Sequence, residues 1–365
     1  MSSDHEGLVA RALDLDKFAV SKLISLFEDR RPEAAAKRAA VLDLLDAAPI
    51  RSEPAGPEPA GPEPAGPKPA GPKPAGPKPD TAPAQPGDRP LGNPSGTVLG
   101  ITGTPGSGKS TLLSRLTVDL LQRDPELSLA VVAVDPSSHV SGGALLGDRT
   151  RMRFTPDERR LFFRSQASAT DLGGLGPSSF QVCRLLTRLF DCVLIETVGI
   201  GQSEADIRHL ADRVYLVLQP LGGDEVQFLK AGIVEVPHVF ILNKSDEPSS
   251  DLSYHQLHAS MWLARPFDET EPPIFRTSAI SGEGLEPLEA DMLGAIRAPG
   301  PLTLRDREPY FFERWVDDEW GRVGSEYLLG PLGGAGSFLK DSGGYDRAQE
   351  RFGSEIIAGL SAGDP

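Results

Sequence analysis

Between residues 5 and 47 apolar positions recur at helical spacing among charged ones: Leu8, Leu13 and Leu15, then Val20, Leu23, Ile24 and Phe27, then Val41, Leu42 and Leu45. The spacing predicts two or three amphipathic helices, interrupted near Pro32. After residue 92 the pattern changes. Continuous apolar runs appear at Val98–Ile101, Leu129–Val134, Val193–Ile195, Val214–Leu218 and Val239–Leu242, and a further short strand is read at Ile274–Arg276. A strand that is apolar at every position is covered on both faces, as in a parallel sheet with helices on either side. Helical patterns at Thr111–Leu121, Gln181–Leu189 and Glu225–Ala231 fall between these runs. The expected fold class is therefore α/β, a doubly wound and mostly parallel sheet.

Two further segments frame that core. From Pro54 to Pro79 the unit Ala-Gly-Pro-Glu/Lys-Pro occurs five times, and residues 51–90 hold 14 of the 34 prolines. Missing N–H donors and a fixed φ forbid helix and sheet there, so a solvated polyproline-like spacer with a reach of about 80 Å is expected. A ligand for a polyproline-binding module is the alternative reading of the same repeat. Beyond Pro299 come Tyr310, Phe311, Phe312, Trp315, Trp320 and Tyr327, then a glycine-rich stretch at 330–336. This predicts an appended helical arm whose aromatics are either a partner surface or a packed core. The organisation expected is an N-terminal helical segment (1–50), a linker (51–92), a nucleotide-binding domain (93–298) and a C-terminal helical arm (299–365).

Composition narrows the class. Lys and Arg number 37 against 52 Asp and Glu, a net charge of −15. That balance argues against a nucleic-acid or anionic-membrane surface. The two cysteines, Cys183 and Cys192, lie in apolar contexts, which excludes a disulfide scaffold or a Cys-rich metal site. No basic region followed by an apolar one opens the chain, and no apolar run approaches the ~18 residues of a membrane span. A cytoplasmic protein is expected.

The chemistry-bearing motifs sit at strand ends. Val98–Ile101 leads into Gly103-Thr104-Pro105-Gly106-Ser107-Gly108-Lys109-Ser110, which matches G-x-x-x-x-G-K-[ST] and is followed by a helical pattern beginning at Thr111. In such a loop backbone N–H groups close around phosphates, the Lys109 amine reaches the β- and γ-phosphates, and Ser110 offers its hydroxyl to Mg²⁺. After Val239–Leu242 comes Asn243-Lys244-Ser245-Asp246. The Asp246 carboxylate can accept from guanine N1–H and from the exocyclic amine, a pair that adenine does not offer. Ser278 and Ala279 follow Ile274–Arg276, and the Ala279 N–H is the expected donor to guanine O6. Between these motifs Glu196-Thr197-Val198-Gly199 closes a strand. Glu196 can hold Mg²⁺ directly or through water, and the Gly199 N–H would sense a γ-phosphate. Asp135 ends another strand, where it reads either as a metal or water contact or as an Asp-Pro turn. Residues 142–150 read as a Gly-hinged loop with a charged end, and His255 and His258 read either as a metal pair or as a solvated helix face.

Taken together these strings resemble the methylmalonyl-CoA mutase-associated GTPases, the MeaB/ArgK family, over residues 97–298. The matching strings are residues 100–110, Val134-Asp135-Pro136-Ser137-Ser138, Gly147-Asp148-Arg149-Thr150-Arg151-Met152, residues 196–204, Gly223-Asp224-Glu225-Val226-Gln227 and Lys230-Ala231-Gly232-Ile233. The resemblance implies GTP hydrolysis coupled to delivery or protection of adenosylcobalamin on a B12-dependent acyl-CoA mutase, with GTP/GDP and Mg²⁺ as cofactors. It implies Lys109, Asp135, Asp148 and Glu196 as the phosphate and magnesium set, and a homodimer is among its expectations. A nickel-delivery accessory GTPase is a rival that needs a Cys/His site, which Cys183 and Cys192 do not supply. A P-loop kinase is a second rival, opposed by Asn243 to Asp246, and a scaffold that binds GTP without hydrolysing it is a third.

Overall fold

In a computed structural model, the described residues are 2–48, 96–135, 157–167, 175–197, 203–220, 237–264, 271–298, 300 and 302–362. Seven strands form one sheet: β1 (Thr97–Gly103), β2 (Leu129–Asp135), β3 (Leu161–Ala167), β4 (Cys192–Thr197), β5 (Arg213–Leu218), β6 (Val239–Leu242) and β7 (Ile274–Arg276). Their spatial order is β3-β2-β4-β1-β5-β6-β7, and every described pairing is parallel. The chain starts at β1, builds outward to β3, returns to β4 beside β1, and then runs out the other way. The strand order therefore reverses at β1, where a doubly wound sheet opens its binding crevice beyond the carboxyl ends of the strands.

The apolar runs read from the sequence coincide with β1, β2, β4, β5 and β6, and alternate residues of each pack on opposite faces. Leu99, Val131, Leu194 and Val217 meet α4 (Lys109–Arg123) and α8 (Leu285–Arg297) on one face. On the other, Val98, Val132, Val193 and Val214 meet α5 (Pro177–Leu189) and α6 (Ser203–Leu210). Near β5 and β6 that second face is closed by Leu257 and Met261 of α7 (Ser250–Ala264). The strand β3 escaped the sequence reading because it lies at the sheet edge, where Phe163, Arg164 and Ser165 are only partly covered and no continuous apolar run is needed. The repeat at 54–79 and the helical pattern Glu225–Ala231 lie outside the described residues.

The N-terminal pattern forms α1 (Ser2–Leu13), α2 (Lys17–Phe27) and α3 (Pro32–Ala47). Asp16 caps α2, its side chain accepting from the N–H groups of Phe18 and Ala19. Pro32 does not break a helix but starts one, occupying a first-turn position where its missing N–H has no helical partner to lose. The C-terminal segment forms α9 (Leu304–Leu329), α10 (Ala335–Ser342) and α11 (Tyr345–Ala362). Its aromatics are largely core. Phe311 stacks on Phe180 of α5 with ring centroids 4.4 Å apart, Phe312 meets Phe352 edge-on at 6.0 Å, and the Tyr345 hydroxyl donates to the Phe311 carbonyl at 3.0 Å. These helices and the N-terminal ones share one apolar cluster with the sheet.

A buried polar knot joins that layer. Asp346 of α11 accepts from Arg38 of α3 at 2.8 Å and from Arg184 of α5 at 2.6 Å, while Gln181 donates to it at 3.1 Å. Gln349 accepts from Arg38 and Gln181, and Glu308 of α9 lies 3.6 Å from Arg184. Desolvation pushes the Asp346 carboxyl up, but the Arg184 and Arg38 guanidiniums outweigh it and hold the group below its ordinary value. Such a group stabilises the fold wherever the unfolded carboxyl is ionised, and that contribution is lost as pH falls through the lower folded value. Asp346→Ala is expected to cost about 3–5 kcal/mol, because it leaves two guanidiniums buried without their anion. Urea unfolding at neutral pH measures the loss. Repeating it below the unfolded carboxyl value of 3.8 should narrow the gap between variant and wild type.

Candidate functional site

All the described motif residues gather at the carboxyl edge of the sheet around β1. The glycine loop runs from the end of β1 into the first turn of α4, with Gly108 at φ +85°. An L side chain is strained there, and a Cβ on Gly108 would also come within 2.6 Å of the Asn243 amide nitrogen. Lys109 is buried, and its Nζ donates to the carbonyls of Gly103 and Thr104 at 2.8 and 2.9 Å, drawing the loop around the amine. Ser107 is buried and its hydroxyl donates to the Thr104 carbonyl, whereas Pro105 and Gly106 form the exposed tip. Ser110 is partly buried and Thr111 exposed, one residue further along the same turn.

Glu196 lies in β4, in register with Ile101 of β1 and Ala133 of β2. It is 1% exposed, and its Oε1 accepts from the Ser110 hydroxyl at 2.7 Å. The structure thus brings together the hydroxyl and the carboxylate that the sequence assigned to one cation. Asp135 closes β2, two residues past the register partner of Glu196, so its backbone ends on the same edge. Asp148, Gly199 and the loop 142–150 lie outside the described residues.

The loops after β6 and β7 reach the glycine loop through one side chain. Asn243, 1% exposed, donates from Nδ2 to the Ser107 carbonyl at 2.8 Å and accepts at Oδ1 from the Ala279 N–H at 3.2 Å. The N–H expected to face guanine O6 is therefore held by Asn243. Lys244 follows with φ +59°, a left-handed conformation that costs a non-glycine residue of order 1 kcal/mol or more and so marks a constrained position. The Ser245 N–H donates to the Thr277 carbonyl at 2.9 Å, fixing the turn that presents the exposed Asp246. Ser278 is buried and organises the facing turn, its hydroxyl accepting from the Ser281 N–H.

A model of the family described as methylmalonyl Co-A mutase-associated GTPase MeaB matches residues 92–305, more than half of the sequence. The chain belongs to the MeaB family. A Pyrococcus horikoshii protein named a putative GTPase is 41% identical over 195 residues, covering 52% of this chain and 61% of that one. The mouse mitochondrial methylmalonic aciduria type A homolog is 37% identical over 202 residues, covering 54% and 48%. This chain thus spans less than two thirds of the length of these curated relatives. A crystal structure of an LAO/AO transport system kinase superposes over 98% of both chains with a TM-score of 0.55 at 21% identity, a likeness of fold.

Within this member of the MeaB family, the structure also places a residue that the motifs did not point to. Gln219, directly after β5, accepts from Lys244 Nζ at 2.6 Å and so steadies the lysine of the loop after β6. Its only sequence signal was its place at the end of an apolar run, on the edge where the other motifs end. The cysteines are not ligands in waiting: both are fully buried, and burial pushes the Cys183 thiol up to about 12 and Cys192 well above its usual value. His255 and His258 are exposed on α7, with His258 3.1 Å from Glu271. Among the described residues no group of three or more His, Cys, Asp or Glu is arranged to hold a metal, and no helix is long and apolar enough to cross a membrane. Asn243→Ala would leave the buried Ser107 carbonyl without its donor. It is expected to cost about 1–3 kcal/mol in nucleotide-free protein, measured by urea unfolding.

Proposed function

We propose that this protein is a GTP-hydrolysing G-protein chaperone that supports loading or protection of adenosylcobalamin on a B12-dependent acyl-CoA mutase. The observation that carries the nucleotide part is the Asn243 carboxamide, which ties the glycine loop to both base-side loops at the switch point of the sheet. A site built that way holds phosphates and base in one fixed relation. The partner rests on the description of the MeaB family and on the name of the mouse relative.

In this reading the loop amides and Lys109 bind the phosphates, the lysine exchanging the Gly103 and Thr104 carbonyls for phosphate oxygens. The Ser110 hydroxyl and the Glu196 carboxylate, already in contact, form an all-oxygen pair that suits a hard divalent ion such as Mg²⁺. Asp135 and Asp148 are the further candidates for that set and for orienting the attacking water. Mg²⁺ bound there would neutralise charge on the β- and γ-phosphate oxygens. Gly199 would sense the γ-phosphate, Asp246 would select guanine, Lys244 held by Gln219 would flank the base, and Ser278 and Ala279 would close its O6 side. Phosphoryl transfer on such a site is chiefly positioning and charge stabilisation, so slow turnover that rises on partner binding is expected.

The test is steady-state hydrolysis of GTP by the protein alone and with methylmalonyl-CoA mutase, with ATP as control. A GTP-specific rate raised several-fold by the mutase supports both halves of the reading. A GTP-specific rate indifferent to the mutase removes the B12 partner and leaves the GTPase. Asp246→Ala is expected to bring GTP and ATP affinities within about tenfold of each other, since the wrong-base penalty disappears. Lys109→Ala is expected to remove nucleotide binding below detection by calorimetry.

A further inference from the structure

The end of β5 lies between the glycine loop and the loop after β6. Gly103 of β1 is in register with Val217, and the Asn243 N–H donates to the Leu218 carbonyl at 2.9 Å, so the next residue, Gln219, emerges between the two loops. Its half-buried carboxamide meets both. On one side a Cβ built on Gly106, at the exposed tip of the glycine loop, would lie 3.9 Å from each of its polar atoms, an ordinary contact distance. On the other side its Oε1 accepts from Lys244 Nζ at 2.6 Å. The Lys244 backbone stands next to Asn243 with φ +59°, while its ammonium ends on Gln219 beside the glycine loop. The four-carbon stem therefore runs from the loop that carries Asp246 toward the loop that leads to Lys109.

Lysine is among the side chains with most rotamer freedom to lose, and a site that must order one when its ligand arrives gives up affinity. An acceptor already in place removes much of that cost beforehand. In the GTPase reading, on which this inference rests, a nucleotide reaches from Asp246 to Lys109 and so passes along the Lys244 stem. We propose that Gln219 is a positioning residue for nucleotide retention. By pinning Lys244 between the two loops, it sets how tightly GTP and GDP are held. It does not set how fast phosphate is transferred, because β5 and the strand that carries Glu196, β4, flank β1 on opposite sides. Nor does it choose the base: the guanine edge is left to Asp246, and the lysine stem offers only an apolar wall.

The experiment compares wild type, Gln219→Met, Lys244→Met and the double variant of the full chain. It reads GDP affinity by calorimetry, steady-state GTP hydrolysis with ATP as control, and melting of the nucleotide-free protein. Methionine keeps the length of Gln219 and removes the acceptor. Ordering one rotamer-rich side chain corresponds to about three- to tenfold in affinity. Gln219→Met is expected to lose that much in Kd for GDP and in KM for GTP. Its kcat and its preference for GTP over ATP should stay within about twofold of wild type, with the melting temperature unchanged. In the Lys244→Met background the same substitution should cost less than about twofold, because the side chain that Gln219 pins is gone. Wild-type affinity in Gln219→Met overturns the proposal, and so does a fall in kcat with affinity intact. Additive losses in the double variant overturn it too, since Gln219 would then act apart from Lys244. A lowered melting temperature alongside the lost affinity also overturns it, being the mark of a general structural role. If Lys244→Met binds GDP too weakly for calorimetry, the Gln219→Met arm decides alone. No binding of GDP or turnover of GTP by the wild-type chain sinks the GTPase reading itself, an outcome distinct from the others because the reference fails.

Discussion

A carboxamide can donate and accept at once, and the nucleotide edge of this molecule depends on one that does both. Asn243 gives its N–H to the loop after β1 and takes one from the loop after β7, while its own backbone continues β6. Three strand ends are thereby held in register by a single buried side chain. A carboxamide presents the donor and the acceptor on two separate atoms, and a carboxylate there would meet the Ser107 carbonyl with repulsion. Two hydrogen bonds from one side chain thus tie the glycine loop to the loops after β6 and β7.

The second organising element lies on the far side of the sheet. Asp346 draws Arg38 and Arg184 together, so the first and last helical segments and α5 meet at one carboxylate. Around it Phe180, Phe311, Phe312 and Tyr345 supply the apolar contact that makes burying those charges tolerable. The aromatic stretch near residues 310–327, which the sequence left open between partner surface and core, thus lies mostly inside the fold, and Tyr310, with Arg314, also holds α6 by bonding Asp206.

The parts of this architecture that were legible in the sequence are those governed by local rules. A strand buried on both faces must be apolar throughout, which exposed β1, β2, β4, β5 and β6. The phosphate loop is specified by contiguous residues, because its glycines answer to backbone geometry within one turn. What was not legible depends on distant residues. Edge strand β3 has one open side and carries Arg164 and Ser165 in its middle, so its pattern looks like a loop. Gln219 acts only because Lys244, 25 positions later, comes to lie beside it. The Asp206 clamp and the Asp346 knot join residues roughly a hundred or more positions apart, and no periodicity announces such pairs.

The placement of the N-terminal helices also bears on the proline-rich repeat that follows them. Both ends of residues 49–95 are anchored to one body, α3 through Arg38 and β1 through its place in the sheet centre. Closing a chain between fixed points costs entropy that grows only with the logarithm of its length, about 0.6 kcal/mol for each doubling. For a flexible chain of that length, one five-residue unit more or less between the two anchors would change the closure term by only about 0.1 kcal/mol.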